Sequence, residues 1–150
     1  FLASHGPATV QDLCWWSGLM VRDAKRAVEL AGDHAEKVTI EGRTETLYAP
    51  PEAEQISDEQ LDAALQTQLE LPAFDEYILG YRDRTFAMTE AMHAHLAPGN
   101  MGVFRKAVVV DGIVRGTWSG AGGRLAVTDV AGVPKYALPG IERAFRSFPF

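Results

Sequence analysis

Two apolar runs flanking Asp111-Gly112 constrain this chain more than any other feature. "GVFRKAVVV" and "IVRGTWS" are rich in β-branched residues, and Asp-Gly between them suits the tight turn with positive φ that joins antiparallel strands. An antiparallel sheet is therefore predicted. "RLAVTDV" supplies a further strand after the Gly-rich "GAGG" at 120–123, and an apolar stretch from Phe74 to Leu79 reads as strand-like. "TEAMHAHL" reads as a short helix starting after Thr89 and ended by Pro98-Gly99. A closing helix is predicted from Leu138 to Ser147, started by Pro139. Short strands spaced by turns and flanked by short helices give a small, barrel-like domain over 71–150.

The first third has a different rhythm. Thr9 is placed to cap "VQDLCWWS", and Gly18 to end it in a left-handed turn. A second helix is predicted from Met20 to Ala31, closed by Gly32. At 100° per residue, Met20, Ala24, Ala27, Val28 and Ala31 share an inward face, and Arg22, Lys25, Arg26 and Glu29 the opposite one. "EKVTI" and "TETLYA", separated by Glu41-Gly42-Arg43, then form a hairpin with Val38, Ile40 and Leu47 inward. Helix, turn, helix and hairpin follow the winged-helix order. The opening "FLASHG" reads as the last turn of an incomplete helix, so a truncated winged helix over 1–50 and a longer parent protein are expected. An acidic helical connector is expected over 51–70, with Ser57 and Gln60 as a capping box and Leu61, Leu65 and Leu69 as its stripe. The fold class is α+β.

Charge is unevenly placed. The chain totals −6, but residues 50–76 hold eight acidic and no basic side chains, while 77–150 sum to +4. A nucleic-acid surface is thus possible only as a local patch. Cys14 is the single cysteine, which rules out an internal disulfide or a cysteine-built zinc site and suits a reducing, cytoplasmic setting. His93 and His95 fall about 200° apart on their helix, and the acidic segment lacks the spacing of a calcium loop. No metal, cofactor or membrane partner is expected.

The candidate phosphate contacts are Arg22, Lys25 and Arg26 on the second helix, Arg43 in the hairpin turn, Arg82 and Arg84, and Arg105. Each has a bland alternative. Asp23 and Glu29 could neutralise the helix, and Arg82 and Arg84, placed on one side of a strand by their alternation, could pair with Asp75, Glu76 or Asp83. Adjacent Trp15 and Trp16 point about 100° apart, one expected against the hairpin and the other at a contact surface.

Three stretches in order, "HGPATVQDLCWWSGLMVRDAKRAVE", "LPAFDEYILGYRDR" and "PGNMGVFRKAVVVDGIVRGTW", resemble the C-terminal half of the bacterial winged-helix proteins that include the AlkZ-like and YcaQ-like DNA glycosylases. The resemblance implies tandem winged helices and a C-terminal β-barrel arranged around double-stranded DNA, with excision of alkylated bases or unhooking of crosslinks by the complete protein. It also implies a catalytic signature, Gln, an apolar residue, then Gln or Asp, near the N-terminus of that protein. Gln66-Thr67-Gln68 imitates the signature, but its middle residue is polar and it follows the winged helix, so no catalytic residue is assigned. The expectation is a DNA-binding, non-catalytic portion of a glycosylase-like protein, self-associating through its truncated face. The alternatives are a non-catalytic transcriptional regulator, or a protein-interaction module that binds no nucleic acid.

Overall fold

The computed structural model describes residues 1–148, which form two compact units. The first holds residues 1–57 together with 79–83; the second holds 58–78 and the chain from Arg84 onward.

In the first unit, α1 (Leu2–His5) is a single turn, and α2 (Val10–Ser17) starts at a reciprocal cap. The Asp12 amide donates to Thr9 Oγ1 at 3.1 Å, and the Thr9 amide donates to Asp12 Oδ2 at 2.9 Å. Gly18, at φ +74°, ends α2 in the left-handed region and lets the chain turn into α3 (Val21–Ala31). The hairpin pairs β1 (Glu36–Val38) with β2 (Leu47–Ala49), and Ala8 bridges to Tyr48 on the other side of β2. The core is small: Ala8, Ala24, Leu47 and Ala49, with Asp12 buried beside them.

Several expectations change here. Met20 is exposed because it is the N-cap of α3, with extended backbone, so helical rotation does not govern it. Ala27 is also exposed, leaving Ala24, Val28 and Ala31 as the inward seam. The hairpin strands are shorter than predicted, and Ile40 lies in the loop, exposed. The largest correction concerns 74–84, which contains no strand. Phe74 adopts φ +64°, Asp75 Oδ1 accepts from the Tyr77 amide, and the chain enters a helical turn, α5 (Glu76–Leu79). Residues 79–83 then run as a strap on the first unit. Leu79 O accepts from Trp15 Nε1 at 2.8 Å, Tyr81 OH donates to His5 O, and the Arg82 amide donates to buried Asp12 Oδ1 at 2.9 Å. Trp16 meets the rings of Phe1 and His5.

The second unit is built on a four-stranded antiparallel sheet in the order β3 (Leu69–Leu71), β4 (Ala107–Val110), β5 (Ile113–Ser119), β6 (Ala126–Asp129). Leu69 therefore belongs to a strand rather than to the stripe of α4 (Asp58–Leu65). Asp111 and Gly112, at φ +53° and +71°, make the predicted tight turn between β4 and β5. Every residue of β4 is buried, because both sheet faces are covered. On one face Leu71, Ala107, Val109 and Val114 pack with Met92 and Leu96 of α6 (Glu90–Leu96). On the other, Val108, Val110 and Trp118 pack with Ile141 and Phe145 of α7 (Leu138–Ser147). No ladder joins β6 to β3 among the described residues, so four short strands leave the sheet open rather than closed into a barrel.

Candidate nucleic-acid interface

The α3 helix carries its cations on the side away from Ala24. Arg22, Lys25 and Arg26 are all exposed and, at spacings of three and four, lie on neighbouring turns of one face. Two of them touch carboxylates: Arg22 Nε lies 3.0 Å from Asp23, and Arg26 Nη1 lies 3.2 Å from Glu29. Both pairs are at the surface, where such contacts are worth about 0–1 kcal/mol, so they leave both guanidinium groups available to a competing anion.

Lys25 also lines a groove of about 950 Å³ within the first unit, between α3, the hairpin, the start of α2 and the strap. Its charges fall into two groups. Arg43 is bound inside it, with Nη2 3.2 Å from Asp83 and Nε 3.3 Å from Glu45. Glu45 is held below its ordinary carboxylate pKa, first by its own backbone amide and then by Arg43 and the Thr44 amide, against opposing desolvation. Asp12 is occupied by Thr9 and the Arg82 amide. Lys25 and Lys37, in contrast, pair with no carboxylate among the described residues, and Arg82 Nη1 donates to Gln11 Oε1 at 3.1 Å. Lys25, Lys37 and Arg82 thus line the groove outside these ion pairs, in a lining that also holds four carboxylates, Asp12, Glu29, Glu45 and Asp83.

The structure separates the seven candidates. Arg22, Lys25 and Arg26 come together; Arg82 shares the groove with Lys25; Arg43 serves as the ionic tie between hairpin and strap. Arg84 belongs to the second unit and is half-buried, its Nε donating to Ile78 O at 2.7 Å and its guanidinium 5.4 Å from the Phe104 ring centroid. Burial lowers its pKa. Arg105, also in the second unit, is exposed and lies against His95. Sequence reasoning overlooked Lys37, whose only signal was a polar position in a short hairpin strand, and Asp12, which the T-x-x-D spacing after Thr9 would have exposed.

Gln66-Thr67-Gln68 closes α4. The Gln66 amide donates to Asp62 O, Thr67 Oγ1 to Ala63 O, and Gln68 Nε2 to Gln66 O. The Thr67 and Gln68 side chains thus bond backbone carbonyls at this helix end. Among the described residues no three metal-ligating side chains converge, and no helix is long and apolar enough to cross a membrane.

Residues 1–148 of this chain, with its helical pair, hairpin and helix-flanked antiparallel sheet, match the AlkZ-like DNA glycosylase family, and the chain belongs to it. Comparison with curated protein sequences gives no significant match. Among solved structures the chain is similar to Streptomyces sahachiroi DNA glycosylase AlkZ, at a TM-score of 0.74 and 23% identity. The match covers 93% of this chain and 37% of that one, so the chain spans little more than a third of that relative's length.

Proposed function

We propose that this chain is the DNA-holding portion of a DNA glycosylase. Its first unit acts as a winged helix, with α3 facing the duplex and the groove beside it accepting backbone phosphates. The observation that carries the reading is the exposed strip of Arg22, Lys25 and Arg26 on α3, beside a groove whose lining includes Lys37 and Arg82, in a chain whose total charge is negative. Family membership supports it, because a protein that excises bases must first hold the duplex. The chain itself excises nothing, and double-stranded DNA is its partner.

The test is binding of a labelled duplex over a range of salt concentrations. Each neutralised phosphate contributes a slope of about −0.9 in log K against log salt, so the strip should give a steep loss of affinity. Replacing Arg22, Lys25 and Arg26 by Gln should flatten that slope by about 2–3. Absence of duplex binding by the parent chain would favour the protein-interaction alternative, and release of alkylated bases by this chain alone would overturn its non-catalytic role. Exposed Leu19, Met20 and Leu30, with an open apolar cleft lined by Leu2, Leu13, Ala27 and Ala31, support self-association of the isolated chain.

A further inference from the structure

The second unit carries a cleft of about 460 Å³ at one end of its sheet, and no acidic residue lines it. Thr117 and Thr128 are direct partners across β5 and β6, so their side chains rise from the same sheet face, with Ser119 two residues further along it. Arg105 lines the same cleft from the segment leading into β4. Its Nη1 lies 3.1 and 3.3 Å from the two ring nitrogens of His95, whose Nε2 lies 3.1 Å from Thr117 Oγ1. Arg105 is exposed and pairs with no carboxylate among the described residues. Lys106 also borders the cleft, but its ammonium lies 4.3 Å from the Trp118 ring centroid, on the α7 face of the sheet, and is not part of the site.

A guanidinium and three hydroxyls therefore share a cleft whose lining includes no carboxylate. Guanidinium and hydroxyl donors around one point suit tetrahedral oxyanions, and the missing charge is that of the ligand. We propose that this cleft is a phosphate-binding site, with Arg105 as the principal ligand and Thr117, Ser119 and Thr128 as its hydroxyl donors. The inference rests on the DNA reading for the source of the phosphate, which is then a phosphodiester of the duplex backbone; a free phosphate is the other source of the same chemistry.

The experiment follows the backbone amides of Thr117, Ser119, Gly120 and Thr128 by NMR in the whole chain, titrated separately with inorganic phosphate and with a short duplex. Arg105→Gln and the near-isosteric Thr117→Val are run beside it, each first checked for a folded spectrum. The expected result is a shift of these amides with duplex, an affinity about tenfold lower in Arg105→Gln, and a salt slope flatter by about 0.9. Unchanged duplex affinity and slope in Arg105→Gln, while the parent chain binds duplex, would overturn the site and leave the DNA reading standing. If the parent chain binds no duplex, the DNA reading fails and inorganic phosphate decides the cleft. Shifts of these amides that disappear in Arg105→Gln then support a free-phosphate site, and their absence overturns it.

Discussion

Neutralising Glu70 is expected to stabilise this protein at neutral pH while leaving its stability in acid nearly unchanged. Glu70 is the middle residue of β3 and stands opposite Val108, on the sheet face covered by α7. It is 8% exposed, and neither carboxylate oxygen has a hydrogen-bond partner among the described residues. Lys106 occupies the same face two residues before Val108, but its ammonium rests over the Trp118 ring. Desolvation therefore outweighs the pull of Lys106, and the carboxyl is pushed up from 4.5 to about 7.

The direction of the pH effect follows. Between about pH 4.5 and 7 the folded chain keeps a proton that the unfolded chain has released, so stability falls as pH rises through this window. The gap, at about 1.4 kcal/mol per pH unit, amounts to about 3 kcal/mol once pH exceeds 7. Glu70→Gln removes the titration without changing the shape of the side chain. The difference in unfolding free energy between Glu70→Gln and the parent should grow by about 3 kcal/mol from pH 4 to pH 8. Urea unfolding should be followed by Trp118, in a background where Trp15 and Trp16 are replaced by Phe, so that the signal comes from the unit that holds Glu70. Parallel stability profiles for the two proteins across that range would refute the reasoning.

Three further outcomes are expected. Gly116→Ala should destabilise the β5–β6 pairing by about 1–3 kcal/mol in the same unfolding assay, because a Cβ there would lie 2.4 Å from the backbone oxygen of Thr128. Asp12→Ala should cost about 2 kcal/mol, measured by thermal unfolding followed at Trp15, since it removes the reciprocal half of the α2 capping box and the acceptor for the Arg82 amide together. Arg43→Met should change stability by about 1 kcal/mol or less and leave the salt slope of duplex binding unaltered, in contrast to the α3 substitutions, because Arg43 is already committed to Glu45 and Asp83.

What could be read in the sequence was whatever a local rule dictates. Thr9, Gly18, Gly32, Thr89 and Asp111-Gly112 sit at the boundaries their chemistry implies, since caps and tight turns depend only on near neighbours. The α7 helix has the predicted limits for the same reason. The stretch 74–84 failed because its conformation is decided at a distance. Its alternation matches a strand, yet Phe74 turns the chain, and the next residues answer to acceptors and donors placed sixty or more positions earlier.

That same distance explains why the seven candidate cations could be found from the sequence but not sorted. Net charge and helical spacing put Arg22, Lys25 and Arg26 on one face without knowledge of the fold. Whether an arginine is free for a phosphate depends on which carboxylate the fold brings to it, and Asp83 reaches Arg43 across forty residues of chain. The strap therefore fixes more than a contact. It takes Arg43 into an ion pair and Asp12 into a backbone hydrogen bond, and Lys25 and Lys37 stay outside the ion pairs among the described residues. A chain of net charge −6 can present a cationic strip because its neutralisation is local, and at about 8 Å of screening length in physiological salt, local charge decides which surface meets a polyanion.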